Sequence, residues 1–169
     1  MYIVVSMVLI PVVNEHDKII GYKERSEITI NDIYRVAWLR ITNENDEILL
    51  KQRSFHKKND PGKWEIAVSW TVEGEESYYE NILHETEEEL GVTLSQLHNV
   101  EEWFKDFFDD GWRFFGQVYR AHCELPATVF RLEEWKAVDI KWRPRHELEV
   151  AIKTTPSLFV PSIKILLTI

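Results

Sequence analysis

The middle of the chain is a long stretch whose negative charge has no local counterpart. Between Trp64 and Phe104 there are eleven Asp and Glu residues and no Lys or Arg, so this segment carries a charge of −11. The rest of the chain is nearly neutral, and the formal net charge is −9. Carboxylates at this density need either open solvent or cations brought from elsewhere. The fold must therefore supply one or the other.

Length and composition limit the class of protein. A chain of 169 residues with 44% hydrophobic and 29% charged residues predicts one globular domain over residues 1–169 and excludes wholesale disorder. The acidic balance, with a pI near 5.2, argues against non-specific nucleic-acid binding. The single cysteine, Cys123, excludes a disulfide scaffold and a Cys-rich zinc site.

The first thirteen residues are apolar, but we expect no membrane association. They fall short of the roughly 20 residues that span a bilayer, and they have neither a basic leader nor a small-residue cleavage site. Their Val, Ile and Tyr content favours a strand. These features predict a cytoplasmic protein.

The periodicity predicts mostly strands, with one acidic helix in the middle, and hence an α+β fold with a mixed sheet. The predicted strands are Val4–Val13, Lys18–Lys23, Ile33–Thr42, Glu47–Arg53, Trp64–Val72, Val100–Phe108, Trp112–Cys123 and Ala137–Trp142. The predicted helices are Ser77–Leu90, with Ser77 as N-cap and Gly91 after its end, then Arg145–Ile152, and a last one opening at Pro156 or Pro161.

The acidic helix places its carboxylates badly for an isolated helix. On a helical wheel, Glu85 and Glu89 border the apolar face, and Glu88 lies just beyond them. Glu88 and Glu89 also lie at the negative end of the helix dipole. The wheel assigns the apolar face itself to Tyr79, Ile82, Leu83, Thr86 and Leu90. One interpretation is that this charged face is solvated. The other is a bound Mg²⁺ or Mn²⁺, which would offset both the position of the glutamates beside the apolar face and their position at the negative end of the dipole.

These residues resemble a known family motif. The stretch Trp70–Val92, WTVEGEESYYENILHETEEELGV, is similar to the Nudix box GX5EX7REUXEEXGU, with Glu76, Glu85, Glu88 and Glu89 on its glutamates. The segments DKIIGYKERSEI, ILLKQRS and PGKWEIAV resemble the Nudix branch that includes isopentenyl-diphosphate isomerase and its hydrolase relatives. The resemblance implies a Nudix-type α/β/α sandwich with a central mixed sheet and a loop-helix-loop.

The resemblance also implies an activity. Nudix hydrolases cleave a nucleoside diphosphate linked to another group, and here Glu85, Glu88 and Glu89 would bind Mg²⁺ or Mn²⁺. Glu85 or Glu89 would act as the base, and Glu76 would support the loop. Other carboxylates remain open as the base, namely Glu73, Asp109, Asp110, Glu133 and Glu134.

The chain departs from the motif at two places, which keeps other functions open. Trp70 stands where the box has its first Gly, and His84 stands where it has Arg. The chain could therefore be a weakened enzyme that binds a nucleotide as a regulatory module; His84 could also be a surface residue pairing with Glu80 or Glu88. An isoprenoid isomerase is a further alternative, but Ser69-Trp70-Thr71 replaces the Cys-Gly-His of that pattern.

The sequence also suggests substrate contacts. Arg53 ends a strand in a basic run and is the first candidate for a phosphate contact, and Trp70 could stack on a base. We expect Lys57 and Lys58 to form an exposed loop tip, and Glu65, Glu101 and Glu102 to be exposed. The phenylalanines of the third hairpin should pack in the sheet or, if exposed, form a homodimer interface.

Overall fold

The computed structural model describes residues 8–109 and 111–167, and the predicted strand residues 4–7 lie outside this part. The strands are β1 (Leu9–Val13), β2 (Ile19–Glu24), β3 (Ile33–Thr42), β4 (Glu47–Arg53), β5 (Trp64–Ile66), β6 (Val68–Thr71), β7 (His98–Asp109), β8 (Arg113–His122) and β9 (Ala137–Pro144). The α-helices are α1 (Tyr78–Leu90) and α2 (Arg145–Thr154). After α2 the chain forms 3-10 turns at Pro156–Leu158 and Pro161–Leu167 in place of the predicted last helix.

The sheet is mixed, as predicted, and β3 is at its centre. This strand pairs antiparallel with β1, β4 and β6 and parallel with β8. The parallel register runs the full length of β3, from Ile33 opposite Arg113 to Thr42 opposite His122. The long β7–β8 hairpin extends the sheet beyond β8.

The two strands β3 and β4 diverge from their hairpin, which opens a space inside the fold. They pair only at Thr42 and Ile48. The segment predicted as one strand over Trp64–Val72 bridges this gap as two short strands: β5 pairs with β4, and β6 pairs with β3. The strand is interrupted at Ala67 because its pairing partner changes there from β4 to β3.

Two cores lie on the two faces of the sheet, which confirms the predicted sandwich. On one side, Ile82 and Leu90 of α1 belong to a cluster with Leu39 of β3. On the other, Leu148 and Ile152 of α2 belong to a second cluster. Because successive strand residues alternate sides, β3 contributes Ala37, Leu39 and Ile41 to the first core and Trp38 to the second.

The predicted ends of α1 are confirmed. The Ser77 hydroxyl accepts a hydrogen bond from the Glu80 backbone N–H, and the Glu80 carboxylate accepts one from the Ser77 backbone N–H. At the other end, Gly91 has a left-handed backbone with φ of 64°, a conformation that glycine adopts without steric cost. No helix in residues 8–109 and 111–167 is both long and apolar enough to cross a membrane.

Candidate active site

Helix α1 buries two of its three predicted metal-binding glutamates. Glu85 and Glu89 are 7% and 4% exposed, whereas the Glu88 side chain is 61% exposed. The helix is rotated from the predicted wheel, because Tyr79 is 46% exposed and Tyr78 is buried in its place. The buried stripe therefore includes the two carboxylates rather than only bordering them.

Glu89 is compensated by a lysine from the sheet. Lys51 Nζ of β4 lies 2.6 Å from Glu89 Oε1, and the Ser69 backbone N–H donates to Glu89 Oε2 at 3.4 Å. Burial raises the pKa of Glu89, while the Lys51 charge opposes that rise. Lys51 therefore supplies the positive charge that the helix itself lacks at Glu89.

The same lysine extends the ion pair to Glu65, which the sequence wrongly suggested to be exposed. Glu65 is 6% exposed, and its carboxylate lies 3.6 Å from Lys51 Nζ. Its two oxygens also accept hydrogen bonds from Arg53 Nη1 at 3.0 and 3.1 Å. Glu101 is about half exposed and pairs with Arg120, in line with expectation.

Arg53 is therefore engaged within the protein. Besides its contact with Glu65, its Nε and Nη2 atoms donate to the backbone carbonyl of Asn59 at 3.2 and 3.0 Å. All three guanidinium nitrogens have internal acceptors, so Arg53 holds the loop that follows β4. The phosphate contact expected of Arg53 stays a prediction.

Glu88 pairs with a second lysine, from the segment before β9. Lys136 Nζ lies 3.1 Å from Glu88 Oε2 and 3.8 Å from Glu133 Oε2. The Lys136 side chain is 7% exposed, so its charge is held at the helix. The acidic helix thus receives its cations from distant parts of the chain, as a tertiary effect.

Of the three predicted metal-binding glutamates, Glu85 is the one that forms no ion pair with a lysine in residues 8–109 and 111–167. It is buried, and in the described part of the chain its Oε2 atom has no hydrogen-bond partner. Burial and, to a smaller extent, the negative charge of Glu89 raise the pKa of Glu85 to about 8, against the opposing charge of Lys136. A buried carboxylate oxygen without a partner is costly and indicates a place for a ligand.

Glu85 lines a cleft of about 730 Å³, which we call the acidic cleft. Its lining residues are Val8, Trp70, Glu73, Glu76, His84, Glu85, Glu87, Glu88, Glu133, Trp135 and Lys136. Six of these are carboxylates and one is a lysine, a donor set suited to a hard divalent cation. Within residues 8–109 and 111–167, however, no three His, Cys, Asp or Glu side chains already converge as a metal site.

Trp70 forms one wall of the acidic cleft, and its expected contact with a substrate stays a prediction. Its Nε1–H donates to Glu73 Oε1 at 2.8 Å, and Arg25 Nη2 donates to the same oxygen at 2.8 Å. The Arg25 guanidinium also lies 5.3 Å from the centre of the indole. The bulky residue at the Gly position of the motif is thus held in one orientation.

His84 and Glu76 form a small supporting network at the start of α1. His84 Nδ1 lies 2.6 Å from Glu76 Oε1, and Asn81 Nδ2 donates to Glu76 Oε2 at 3.1 Å. The partner of His84 is therefore Glu76, instead of Glu80 or Glu88. Glu76 is held by the helix, in agreement with the supporting role expected for it.

A second cavity lies where β3 and β4 diverge. It has a volume of about 430 Å³, and we call it the aromatic cavity. Its apolar lining residues are Tyr34, Val36, Trp38, Phe108, Trp112, Phe114, Val160, Pro161 and Ile165. Its polar ones are Arg53, Asp60, Glu65, Ser69, Ser162 and Lys164. Phe108 and Phe114 stack with ring centres 5.1 Å apart, so these hairpin residues pack as expected and also shape a cavity.

Cys123 lies away from both the acidic cleft and the aromatic cavity. The side chain is fully buried in the core on the α1 side of the sheet, where its Sγ accepts the Leu125 backbone N–H. It lines neither the acidic cleft nor the aromatic cavity. The isomerase alternative thus lacks a thiol at the site.

Sequence reasoning missed the roles of Lys51 and Lys136. The buried position of Lys51 could have been inferred from the sequence, because alternation along β4 puts it on the same inward side as Leu49. Lys136 lies 48 residues from Glu88, and no local pattern links the two.

Comparison with known proteins agrees with this fold. The family model for the NUDIX domain matches residues 33–161. An uncharacterized Nudix hydrolase of Pseudomonas aeruginosa is 30% identical over 144 residues, 85% of this chain and 83% of the relative. A prenyl-diphosphate phosphatase of Methanosarcina mazei is 27% identical, covering 92% of this chain and 91% of the relative.

A solved structure is similar along nearly the whole chain. The crystal structure of a Deinococcus radiodurans protein superposes with a TM-score of 0.83, covering 95% of this chain and 98% of that one at 19% identity. At that identity the likeness concerns the fold. The family match and the relatives carry the assignment, and together they identify this chain as a member of the Nudix family of pyrophosphohydrolases.

Proposed function

We propose that this chain is a Mg²⁺- or Mn²⁺-dependent hydrolase that cleaves the diphosphate linkage of a nucleoside diphosphate derivative. The products would be a monophosphate and a second phosphorylated compound. The observation that carries the proposal is the buried Glu85 oxygen without a partner in a cleft lined by six carboxylates. A divalent cation there would satisfy this oxygen and offset the local negative charge.

The three predicted metal ligands have different surroundings. Glu85 and Glu88 both line the acidic cleft, and they are the residues that would hold the cation. When bound, the cation would neutralise the phosphate oxygens and favour deprotonation of the attacking water. Glu89 binds Lys51 and Ser69, so we assign it to fixing the end of α1 behind the site.

The same geometry supports an assignment of the catalytic roles. Of the two carboxylates expected to be catalytic, Glu85 faces the cleft, where a bound cation would favour its ionised form, and that form can accept a proton. Glu73 is held by Trp70 and Arg25, which makes it a poorer base. Glu89 acts on Glu85 through its neighbouring charge.

A substrate panel tests the proposal. The purified protein would be incubated with nucleoside diphosphates, nucleoside triphosphates, nucleotide sugars and ADP-ribose, with Mg²⁺ or Mn²⁺ and with a chelator. We expect metal-dependent release of a monophosphate and a loss of about 100-fold or more in kcat for Glu85→Gln. Glu15→Gln, an exposed glutamate in a turn, is the matched control.

Two outcomes would reject this function. Turnover that is unchanged in Glu85→Gln or in the presence of a chelator would remove Glu85 and the metal from the mechanism. A melting temperature that rises with nucleotide, without turnover of any compound, would indicate the binding module instead.

A prenyl diphosphate is a second candidate substrate, favoured by the aromatic cavity. Nine apolar side chains line about 430 Å³ there, a size and character that would accept a hydrocarbon chain. The similarity to a prenyl-diphosphate phosphatase supports the same class. Adding prenyl diphosphates to the panel separates the two, and Trp112→Ala, which truncates a half-exposed side chain of the cavity, should weaken turnover of the prenyl compounds alone.

A further inference from the structure

A third cavity, of about 270 Å³, lies at the end of the sheet where β3 and β8 stop, and we call it the arginine cavity. It is lined by Arg40 of β3, Trp103 of β7 and Arg120 of β8. The parallel register of β3 and β8 pairs the two arginines with each other. The arginine cavity shares no lining residue with the acidic cleft or the aromatic cavity, so it is separate from the site described above.

Arg40 is a buried cation without an acceptor. The residue is 6% exposed, and its Nε atom has no hydrogen-bond partner. Within residues 8–109 and 111–167 its guanidinium also forms no ion pair. Burial and, to a smaller extent, the positive charge of Arg145 lower the pKa of Arg40 to about 10, against the opposing charge of Asp46, so the side chain stays charged near pH 7. A buried charge is unfavourable until an anion or oxygen acceptors join it.

An indole ring packs against Arg40 and leaves its hydrogen-bond donors free. The Arg40 guanidinium lies 4.7 Å from the centre of the Trp103 ring, and that of Arg120 lies 5.6 Å from the same ring. An aromatic face attracts a cation, but it leaves the N–H groups of the guanidinium for oxygen acceptors. Arg120 has such an acceptor in Glu101, whose Oε1 lies 2.7 Å from Nε and from Nη2. In the described part of the chain, Arg40 has no counterpart to Glu101.

Irregular strand pairing shapes this cavity. The pairing of β7 with β8 shifts its register twice between His98 and Phe104. Such irregularities re-aim side chains, and these two lie next to Glu101 and Trp103, which both line the cavity. All of the lining residues except Asp46 belong to β3, β7 or β8. The sheet itself therefore holds the walls of the cavity in place.

We propose that the arginine cavity binds a small monocarboxylate, whose oxygens accept hydrogen bonds from the guanidinium of Arg40. A carboxylate matches the planar N–H fork of arginine, whereas a phosphate carries more negative charge than one unpaired guanidinium offsets. Glu101 and Asp46 also line the cavity, and their charges would repel a more highly charged anion. The Trp103 ring offers an apolar surface to the body of the ligand.

Nuclear magnetic resonance of the arginine side chains tests this contact. The protein would be labelled with isotope-enriched arginine, and the Nε–H signal of Arg40 would be identified by its absence from Arg40→Lys. Sodium acetate would be titrated against sodium chloride of equal ionic strength. We expect acetate to shift the Arg40 signal saturably, and sodium phosphate to shift it less. Arg35 is the matched control, because its Nε already donates to Asp17 Oδ1 at 2.7 Å and its signal should follow the chloride titration.

Thermal stability provides the second readout. With acetate at ten times its Kd, the wild-type melting temperature should lie roughly 3–5 °C above its value in chloride, because the ligand binds the folded state. Arg40→Met removes the buried cation, so it should melt at or above the wild type in chloride and gain nothing from acetate. Lys153→Met, which removes an exposed lysine of α2, should respond to acetate as the wild type does.

Three results would overturn the inference. The first is an Arg40 signal that acetate leaves unchanged, which decides the question even if Arg40→Met does not fold. The second is a phosphate response stronger than the acetate response, which would indicate another class of ligand. The third is a lower melting temperature of Arg40→Met with no effect of acetate on the wild type, which would show that Arg40 serves only to pack on Trp103. The proposed function stands in all three cases, because the acidic cleft is not involved.

Discussion

The ammonium group of Lys51 lies 2.6 Å from the carboxylate of Glu89, and both side chains are 3% exposed. Lys51 belongs to β4 and Glu89 to the last turn of α1, so the ion pair joins the helix to the sheet. Without it, the helix would end with a buried anion at the negative end of its dipole. The pair removes the conflict that suggested a metal ion at Glu89.

Removing Lys51 should strongly destabilise the fold. In Lys51→Met, Glu89 stays buried without its cation, and Glu65 loses a neighbouring charge. Breaking a buried ion pair from one side costs about 3–5 kcal/mol in free energy of unfolding. Urea unfolding followed by circular dichroism would measure the loss.

A double variant is the control for this pair. Lys51→Met combined with Glu89→Leu removes both charges, and it should recover part of the stability lost in Lys51→Met. If Lys51→Met alone loses less than about 1 kcal/mol, the pair contributes no more than an exposed one.

Stability in metal-free buffer should fall as pH rises towards 8. The pKa of Glu85 is raised from its ordinary 4.5 to about 8, so the folded protein keeps a proton that the unfolded chain has released. Folding therefore becomes less favourable between about pH 4.5 and pH 8. Urea midpoints measured across this range should decline for the wild type.

The Glu85→Gln variant isolates this contribution. Glutamine does not ionise, so the decline should become shallower, although the raised pKa of Glu89 leaves a slope of the same sign. Parallel pH profiles for the two proteins would show that Glu85 does not carry the effect.

A divalent cation should stabilise the wild type and leave Glu85→Gln almost unchanged. Binding to the folded state alone adds about 2.7 kcal/mol at a concentration one hundred times Kd. Melting temperatures with Mg²⁺, with Mn²⁺ and with a chelator would measure this. The control Glu15→Gln should respond as the wild type does, and a wild type indifferent to both metals would argue against a cation at Glu85.

Cys123 should be dispensable for activity. Its thiol is fully buried, and burial raises its pKa, so both access and thiolate formation are disfavoured. We expect Cys123→Ala to keep the wild-type kcat, and iodoacetamide to modify the protein only after denaturation. Mass spectrometry of native and urea-treated samples would measure the labelling. Rapid native labelling with loss of activity would place a reactive thiol at the site.

Local patterns predicted the elements well because they depend on neighbouring residues. Ser77 with Glu80, and Gly91 at the other end, mark the limits of α1 through hydrogen bonds that span one turn. The break at Ala67 was not predictable in this way, since the strand changes partner between β4 and β3. The rotation of α1 was not predictable from local patterns either, because it buries Glu89 against Lys51, a residue of β4.

The charge of the acidic segment separates what the sequence determined from what tertiary structure decided. The sequence alone determined the glutamate spacing, the helix that carries it and the family to which the chain belongs. Only the tertiary structure decided which glutamates are neutralised, because Lys51 and Lys136 reach Glu89 and Glu88 across the fold. Coulomb interactions depend on distance in space and not along the chain, and Glu85 is left facing the cleft.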